Sequence, residues 1–507
     1  MIISITPGLA LDEGYTYTGG LGVLEGDKFY GAAKLGLPYT TLTFFYREAF
    51  INYDFDQEGT PIPKSQSQPL EFLEKLVQEG VLTVELRGEK VKVEILKYRK
   101  GEAEAIFFNP IEPSWVSCLT DHIYMEKSLE EKFYKYTLLA KASAEYVRQY
   151  IGVERVDYID LQEAYAAFLP LILRISGKFR LIIHTPGPWG HPAFPNKFFE
   201  QEFGYKFINK EIVLTDIGLA ASREAFTVSA KHFEVMSKII PHFTSKLRYV
   251  TNGVDIERWM DKTLKTSYET GNLDLNRFIE NRKAIKKKFV EFIRRYKDID
   301  VEGMIIINWC RRTAPYKRPD FVIRAIEDIP NKNVLFLLGG AAHPYDKVGL
   351  EFVRTFHKLH IERENVVYIP EYKVSTAKEL IKSSDLLLFT PISGWEACGT
   401  SYMKAAINGV PTLASRDGGA MELIRHGVNG WFFGKDLKEL WIPKTPENNI
   451  EDYEEFKNLL LEVINLYQND TERYYKVASN ALRTSIPRVG IERVLREYYP
   501  DIVKTHL

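Results

Sequence analysis

Four short segments of the chain combine residue types that can do chemistry. The most charged is Cys310-Arg311-Arg312-Thr313-Ala314-Pro315-Tyr316-Lys317-Arg318, directly after the apolar run GMIIINW. Arg311, Arg312, Lys317 and Arg318 are four cations within eight residues. Such crowding is costly unless an anion neutralises it, and a guanidinium fork beside an ammonium suits phosphate groups. A solvated basic loop is the plainer alternative. The second segment runs from Gly394 through Glu396 and Gly399-Thr400-Ser401 to Lys404, between the run LLLF and a helical pattern. Glu396 can accept hydrogen bonds from sugar hydroxyls, and the Thr400-Ser401 backbone can cradle an anion at a helix start. Lys404 lies one turn further on, where an amine in a partly apolar setting can form a Schiff base. For a lone lysine, an exposed helix surface is the bland reading. In the third segment, His184 follows FRLII and can bond a sugar hydroxyl through a neutral ring nitrogen. His191, on the same loop, reads equally as structural. Fourth, Thr18-Gly19-Gly20-Leu21-Gly22 precedes a helical pattern, and its glycines allow φ > 0 and close backbone approach to a phosphate or sugar oxygen. A purely steric turn accounts for them as well.

These segments need strands that end where they begin. In the second half, GMIIINW, Val334 to Gly339, Val366 to Ile369, Leu386 to Phe389 and Pro411 to Ala414 are short apolar runs separated by helical stretches. Buried parallel strands of a doubly wound sheet read this way. The first half opens on IISIT, with a helix expected over Gly26 to Leu35 and a strand over Tyr39 to Tyr46. An irregular Pro- and Gln-rich stretch follows around Thr60 to Pro69, then a hairpin from Val81 to Leu96 turning at Arg87-Gly88-Glu89. Further strands are expected over Asp157 to Asp160 and Phe179 to His184. The expected fold class is α/β, with two Rossmann-like domains facing across a cleft. The expected division is 1–260, 261–480 and a helical tail, 481–507, packing back on the first domain, with Lys262 to Asp300 as the crossing.

Composition narrows the classes. The chain has 507 residues, 45% apolar and 27% charged, with a net charge near −1, so a large buried core is available and neither nucleic acid nor an anionic membrane is indicated. The basic clusters Lys283 to Lys288 and Arg294-Arg295 read as solvated helix faces. Cys118, Cys310 and Cys398 are far apart, so neither a disulfide framework nor a metal site is expected. The opening MIISITPGLALDEG reads as a first buried strand, and no run is long enough to span a bilayer, so a cytoplasmic location is expected.

Taken together, several motifs resemble the α-glucan phosphorylase family (glycogen, maltodextrin and starch), in its short prokaryotic form. TGGLGVLEGDKFYGAAKLGLP is similar to that family's N-terminal glycine loop and helix, QEAYAAFLPLIL to its NEGHAAF segment, and HTPGPWGHPAFP to its HTPxPAGHxxFP loop. YVTNGVDIERW, RRTAPYKR, GGAAHPYD and PEYKVSTAKELI have counterparts in order, and EACGTSYMKAAINGVPTLASRDGG resembles the segment holding the cofactor lysine. The resemblance implies Lys404 as the lysine bonded to pyridoxal 5′-phosphate. It implies Arg312 and Lys317 on the substrate phosphate, and Arg311, Tyr372, Lys373, Thr400, Ser401, Gly19 and Gly20 around the cofactor's phosphate. His184 and Glu396 would contact the glucosyl unit. The implied reaction is phosphorolysis of an α-1,4-glucan by inorganic phosphate, giving glucose 1-phosphate with retained anomeric configuration.

The sequence departs from that pattern in places. Ile5-Thr6-Pro7-Gly8 stands where the family carries a glutamate, Gly340-Ala341 where it has Gly-Lys before AHP, and Phe226 where it has an asparagine near the sugar. AFTVSAKH, Asp417-Gly418-Gly419 and HGVNGWFF resemble glycogen and starch synthases. In a synthase, Arg312 and Lys317 would hold the diphosphate of ADP- or UDP-glucose, no pyridoxal phosphate would be needed, and Lys404 would be an ordinary helix residue. A non-catalytic α-glucan-binding protein is the third reading. Homo-oligomerisation is left open.

Overall fold

The computed structural model describes residues 1–329, 333–440 and 449–506. Its contacts divide the chain into two units: unit 1 comprises Met1–Phe50, Ser65–Thr251 and the residues from Ile491 on, and unit 2 comprises Ile51–Lys64 and Asn252–Gly490.

In unit 1 the apolar runs become nine strands: β1 (Ile2–Ile5), β2 (Tyr39–Phe44), β3 (Val77–Leu86), β4 (Glu89–Lys100), β5 (Ala103–Glu112), β6 (Tyr158–Gln162), β7 (Phe179–Ile182), β8 (Glu224–Thr227) and β9 (Leu247–Tyr249). Their order is β9-β8-β7-β6-β1-β2-β5-β4-β3. All but the last two strands pair in parallel, and β4 and β3 extend the edge as the hairpin read from the sequence. Its turn has Arg87 and Gly88 both at positive φ, as a two-residue hairpin turn requires. The parallel order reverses between β1 and β6, the point where such sheets bind ligands beyond their carboxyl ends. The helix expected from Gly26 begins earlier, as α1 (Gly19–Lys34).

One face of the unit 1 sheet is apolar, built from Ile3, Ile5, Leu42, Phe44, Ile159 and Leu161. The opposite face is equally buried but polar, with Ser4, Thr41, Asp160, Gln162 and Arg180. Arg180 grips Asp160 through two bonds of 2.7 and 2.9 Å, and Tyr499 donates to the same carboxylate at 2.5 Å. Arg180 also donates to the Tyr498 carbonyl at 2.6 Å, which ties the C-terminal segment into unit 1. Removing the Tyr499 hydroxyl, as in Tyr499→Phe, leaves a buried carboxylate one donor short. It is expected to destabilise unit 1 by about 1.5–3 kcal/mol, read as a lower urea midpoint. An unchanged midpoint would show that this hydroxyl does not hold the tail.

Unit 2 carries a six-stranded parallel sheet: β10 (Ile305–Cys310), β11 (Val334–Gly339), β12 (Val366–Ile369), β13 (Leu386–Phe389), β14 (Thr412–Ser415) and β15 (Trp431–Phe433), in the order β12-β11-β10-β13-β14-β15. This is the doubly wound order, with its reversal between β10 and β13. Alternate residues feed two cores, as a strand period of two demands: Ile305, Ile307 and Trp309 face one side, Ile306 and Cys310 the other.

Three expectations about organisation need correcting. The chain passes between units at Thr251–Asn252, ahead of the expected boundary at 260–261, and the C-terminal part of unit 1 starts at Ile491 rather than 481. Lys262 to Asp300 is not a crossing: its helix Leu275–Ile293 belongs to unit 2, where Arg282 donates to the carbonyls of Lys382, Ser384 and Asn408 and Lys286 pairs with Asp385 at 2.7 Å. The supposedly irregular stretch near Thr60 contains the strand Pro61–Lys64, paired with Asn52–Phe55 in unit 2. There Tyr53 donates to the Ala342 carbonyl at 3.0 Å and Phe55 stacks on His357.

Candidate functional site

In unit 2 the predicted residues gather where the strand order reverses. Arg311 leaves β10 and turns inward, its guanidinium lying near Trp309 and Phe389 and donating to the Leu388 carbonyl at 2.5 Å. Its Nε is buried with no partner among the described residues, and burial lowers its pKa even though Glu396 and Tyr372 act to raise it. Tyr372, after β12, is thus brought to the same place, with Lys373 next to it at the head of the helix Val374–Ser383. Gly340 permits this convergence: at φ 108 it lies so close to the Arg311 carbonyl that an added Cβ would meet that oxygen at 2.0 Å.

Lys317 and Glu396, from the loops after β10 and β13, form an ion pair of 2.9 Å, each about one-seventh exposed (13% and 15%). Burial pushes the Glu396 carboxyl up, but Lys317, Arg311 and Arg312 outweigh it and hold the group below the usual carboxylate range. Glu396 therefore stays ionised as an acceptor. The loop bearing it is fixed by Asp417, which accepts from the backbone N–H groups of Gly394, Glu396 and Gly418 at 2.7, 2.8 and 2.9 Å. Arg312 is exposed beside this pair. Arg318, counted in the basic run, points elsewhere: it donates to the carbonyls of Thr390 and Pro391 and pairs with Asp452 at 2.7 Å, a structural use.

Thr400 precedes the short helix α2 (Ser401–Ile407), which carries Lys404. Lys404 is only 6% exposed, with its Nζ 3.9 Å from the centroid of the Trp259 ring. Asn408 fastens the two segments by donating to the Trp259 carbonyl at 2.9 Å and the Lys404 carbonyl at 2.8 Å. A lysine on an ordinary helix surface keeps its ammonium in water; this one does not.

In unit 1, Gly19 and Gly20 are exposed in the first turn of α1. Of the loop's glycines only Gly19 uses the freedom of a positive φ, at 69. His184, after β7, bonds Gln162 at 2.8 Å through Nε2, and burial, with Lys28 and His232 nearby, drives its pKa well down, leaving a neutral ring. The unit 1 residue that sequence reasoning passed over is Glu163, directly after β6. It is 3% exposed, at φ 66 and ψ 170. Burial pushes its pKa up to about 8, against hydrogen bonds from the Thr185 side chain and the His184 backbone. His232, also unremarked, is buried, has a partnerless Nε2, and is pushed down to about 3.

Glu163 couples stability to pH. Its folded pKa is raised, so the folded chain keeps a proton that the unfolded chain releases between about 4.5 and 8. Stability from this group is full below that window and is lost as pH rises through it. Glu163→Gln is expected to melt above the wild type at pH 8 but not at pH 4.5; parallel Tm-against-pH curves would refute the assignment.

Both units have the doubly wound α/β order, and residues 291–441, spanning β10 to β15, match the family described as glycosyl transferases group 1. The fold is therefore a two-unit α/β fold of the GT-B type. The phosphorylase resemblance read from the motifs also holds along nearly the whole chain. It is 24% identical to the maltodextrin phosphorylase of Thermococcus litoralis over 95% of this chain and 68% of that one. It is likewise 24% identical to the glycogen phosphorylase of Aquifex aeolicus, over 96% and 84%. A glycogen synthase of Chlamydia trachomatis serovar L2 is 23% identical over 47% of each chain.

Proposed function

We propose that the protein is a retaining α-glucan phosphorylase that releases glucose 1-phosphate from the non-reducing ends of α-1,4-glucans with inorganic phosphate. The observation that carries this reading is the burial of Lys404, an amine withdrawn from water with its Nζ 3.9 Å from the centroid of the Trp259 ring. Burying lysine costs free energy, which a covalent bond to an aldehyde would offset. The residues fit pyridoxal 5′-phosphate. Lys404 offers a primary amine for its aldehyde, while Arg311, with its partnerless Nε, together with Tyr372, Lys373, Thr400 and Ser401 offers donors for its phosphate. When bound, the cofactor supplies a phosphate group that acts as proton donor or electrostatic partner to inorganic phosphate.

The chain's own residues do the rest in this reading. Arg312 and Lys317 hold inorganic phosphate and offset the repulsion between two neighbouring phosphates. Glu396, kept ionised by the same cations, accepts from a glucosyl hydroxyl and sets the sugar beside the phosphate. His184, neutral, bonds another hydroxyl without adding charge near an oxocarbenium-like centre. The phosphate proton passes to the departing glycosidic oxygen, and the phosphate oxygen then bonds the anomeric carbon from the same face.

The similarity to a glycogen synthase, together with the TVS turn at Thr227-Val228-Ser229, favours a second reading in which the donor is ADP- or UDP-glucose. Product analysis separates the two. Phosphate-dependent release of glucose 1-phosphate from maltoheptaose supports phosphorylase, whereas chain extension from a nucleotide sugar without phosphorolysis overturns it.

A further inference from the structure

Lys317 and Glu396 meet at 2.9 Å although each stands on a loop, and a lysine's flexible four-carbon stem lets its ammonium swing away. The two loops are joined at Thr390, which follows β13 and is wholly buried. Its hydroxyl donates to the Lys317 carbonyl at 2.7 Å and accepts from the indole N–H of Trp309, on β10, at 2.8 Å. That uses the one proton a threonine hydroxyl has and one of its lone pairs, and it ties the Lys317 backbone to a side chain set in the sheet. The Thr390 carbonyl in turn accepts from Arg318 at 2.7 Å, and the Ile392 N–H donates to the Tyr316 carbonyl at 2.7 Å. Arg318 takes φ 51 and ψ 59, a left-handed turn uncommon for a bulky side chain, directly after Lys317. Lys317 is thus held at both ends: its carbonyl by Thr390, its ammonium by Glu396.

From this arrangement we infer that Thr390 is a positioning residue for the candidate site: its hydroxyl fixes the Lys317 backbone, and through it the distance at which Lys317 stands from Glu396. With both hydroxyl bonds made inside the protein, Thr390 is no catalytic residue; it acts through Lys317. A valine would fill the same volume but leave the Trp309 N–H and the Lys317 carbonyl facing methyl groups, so shape alone does not account for a threonine here. Trp309 makes the anchor stiff, since it is fully buried and its strand pairs with β11 on one side and β13 on the other. Two buried bonds in series through one hydroxyl also polarise and strengthen each other. That Lys317 meets inorganic phosphate rests on the phosphorylase reading above; that Thr390 holds Lys317 rests on the geometry.

The test compares Thr390→Val, which keeps the shape, with Thr390→Ser, which keeps the hydroxyl, in phosphorolysis of maltoheptaose at varied phosphate concentration and pH. Valine is expected to lower kcat/KM for phosphate about ten- to hundredfold, the scale of an ångström's misplacement. Burial raises the Glu396 pKa while Lys317, ahead of Arg311 and Arg312, lowers it, and Tyr402 is the other titratable group nearby. A displaced Lys317 therefore moves the acid limb of the pH–rate profile upward. Serine should restore both the phosphate dependence and the limb. A lower Tm in the valine variant with unchanged phosphate use and an unmoved limb overturns the inference, since a purely structural hydroxyl would do that and no more. A second readout needs no turnover. The Tm losses of Thr390→Val and Lys317→Met, each about 2–4 °C, should fall short of their sum in the double variant, and additive losses overturn the inference. A wild type without phosphorolysis overturns the phosphorylase reading alone, and the Tm comparison then decides on Thr390. Thr390→Ala, which sets no methyl group against the Trp309 N–H, takes the place of valine in both measurements if valine does not fold.

Discussion

Lys404→Ala is expected to abolish phosphorolysis and to yield protein without bound pyridoxal phosphate. The rate loss should exceed about a thousandfold, beyond the 10²–10³ that one electrostatic contact supplies, because the whole cofactor goes. The sharper comparison is Lys404→Arg. A guanidinium keeps the positive charge over Trp259, 3.9 Å away in the lysine form, and fills the buried volume. It cannot bond an aldehyde. If Lys404 serves only to pack against Trp259, arginine should restore function; in the phosphorylase reading it should restore folding alone. Circular dichroism and Tm separate these cases, since truncating a buried side chain to alanine also leaves a cavity. Turnover in Lys404→Ala at the wild-type rate would remove the lysine from the chemistry.

Lys317→Ala is expected to cost about 10²–10³-fold in phosphorolysis, equivalent to some 2.7–4 kcal/mol, chiefly as weaker use of phosphate. The variant also removes the partner 2.9 Å from Glu396. Burial, which raises the Glu396 pKa, then works against Arg311 and Arg312 alone, so the carboxyl should titrate at higher pH. The sign is definite: the acid limb of the pH–rate profile moves upward, because Glu396 must be ionised to accept. A purely structural ion pair would lower Tm without moving that limb. A near-wild-type rate with an unmoved limb would place the phosphate elsewhere.

Much of unit 2 was legible because its strands are buried on both faces, and buried parallel strands read as apolar runs: β10, β11, β12 and β13 fall where IIIN, VLFLLG, VVYI and LLLF stand. Residues just after those runs were natural site candidates, and Arg311, Tyr372, Lys317 and Glu396 are indeed drawn together. Arg318 was indistinguishable from them in sequence, since nothing local tells that its guanidinium meets Asp452, more than a hundred residues away. Unit 1 was harder to read because one face of its sheet is polar: Asp160 and Arg180 look like strand ends in a hydropathy pattern, yet they satisfy each other in the core. Glu163 escaped for a related reason. In QEAYAAF it is one more charged residue before a helix, and its value lies in a backbone angle and in its burial, neither of which a sequence displays. The only local hint was its place directly after a strand, which the reading did not pursue.

The most direct test of the phosphorylase account is the near-ultraviolet and visible spectrum of the purified protein, with pyridoxal phosphate quantified after acid release. The account predicts one cofactor per chain, lost in Lys404→Arg. Protein from cells supplied with the cofactor that contains none, and that extends glucan from ADP- or UDP-glucose, would contradict it.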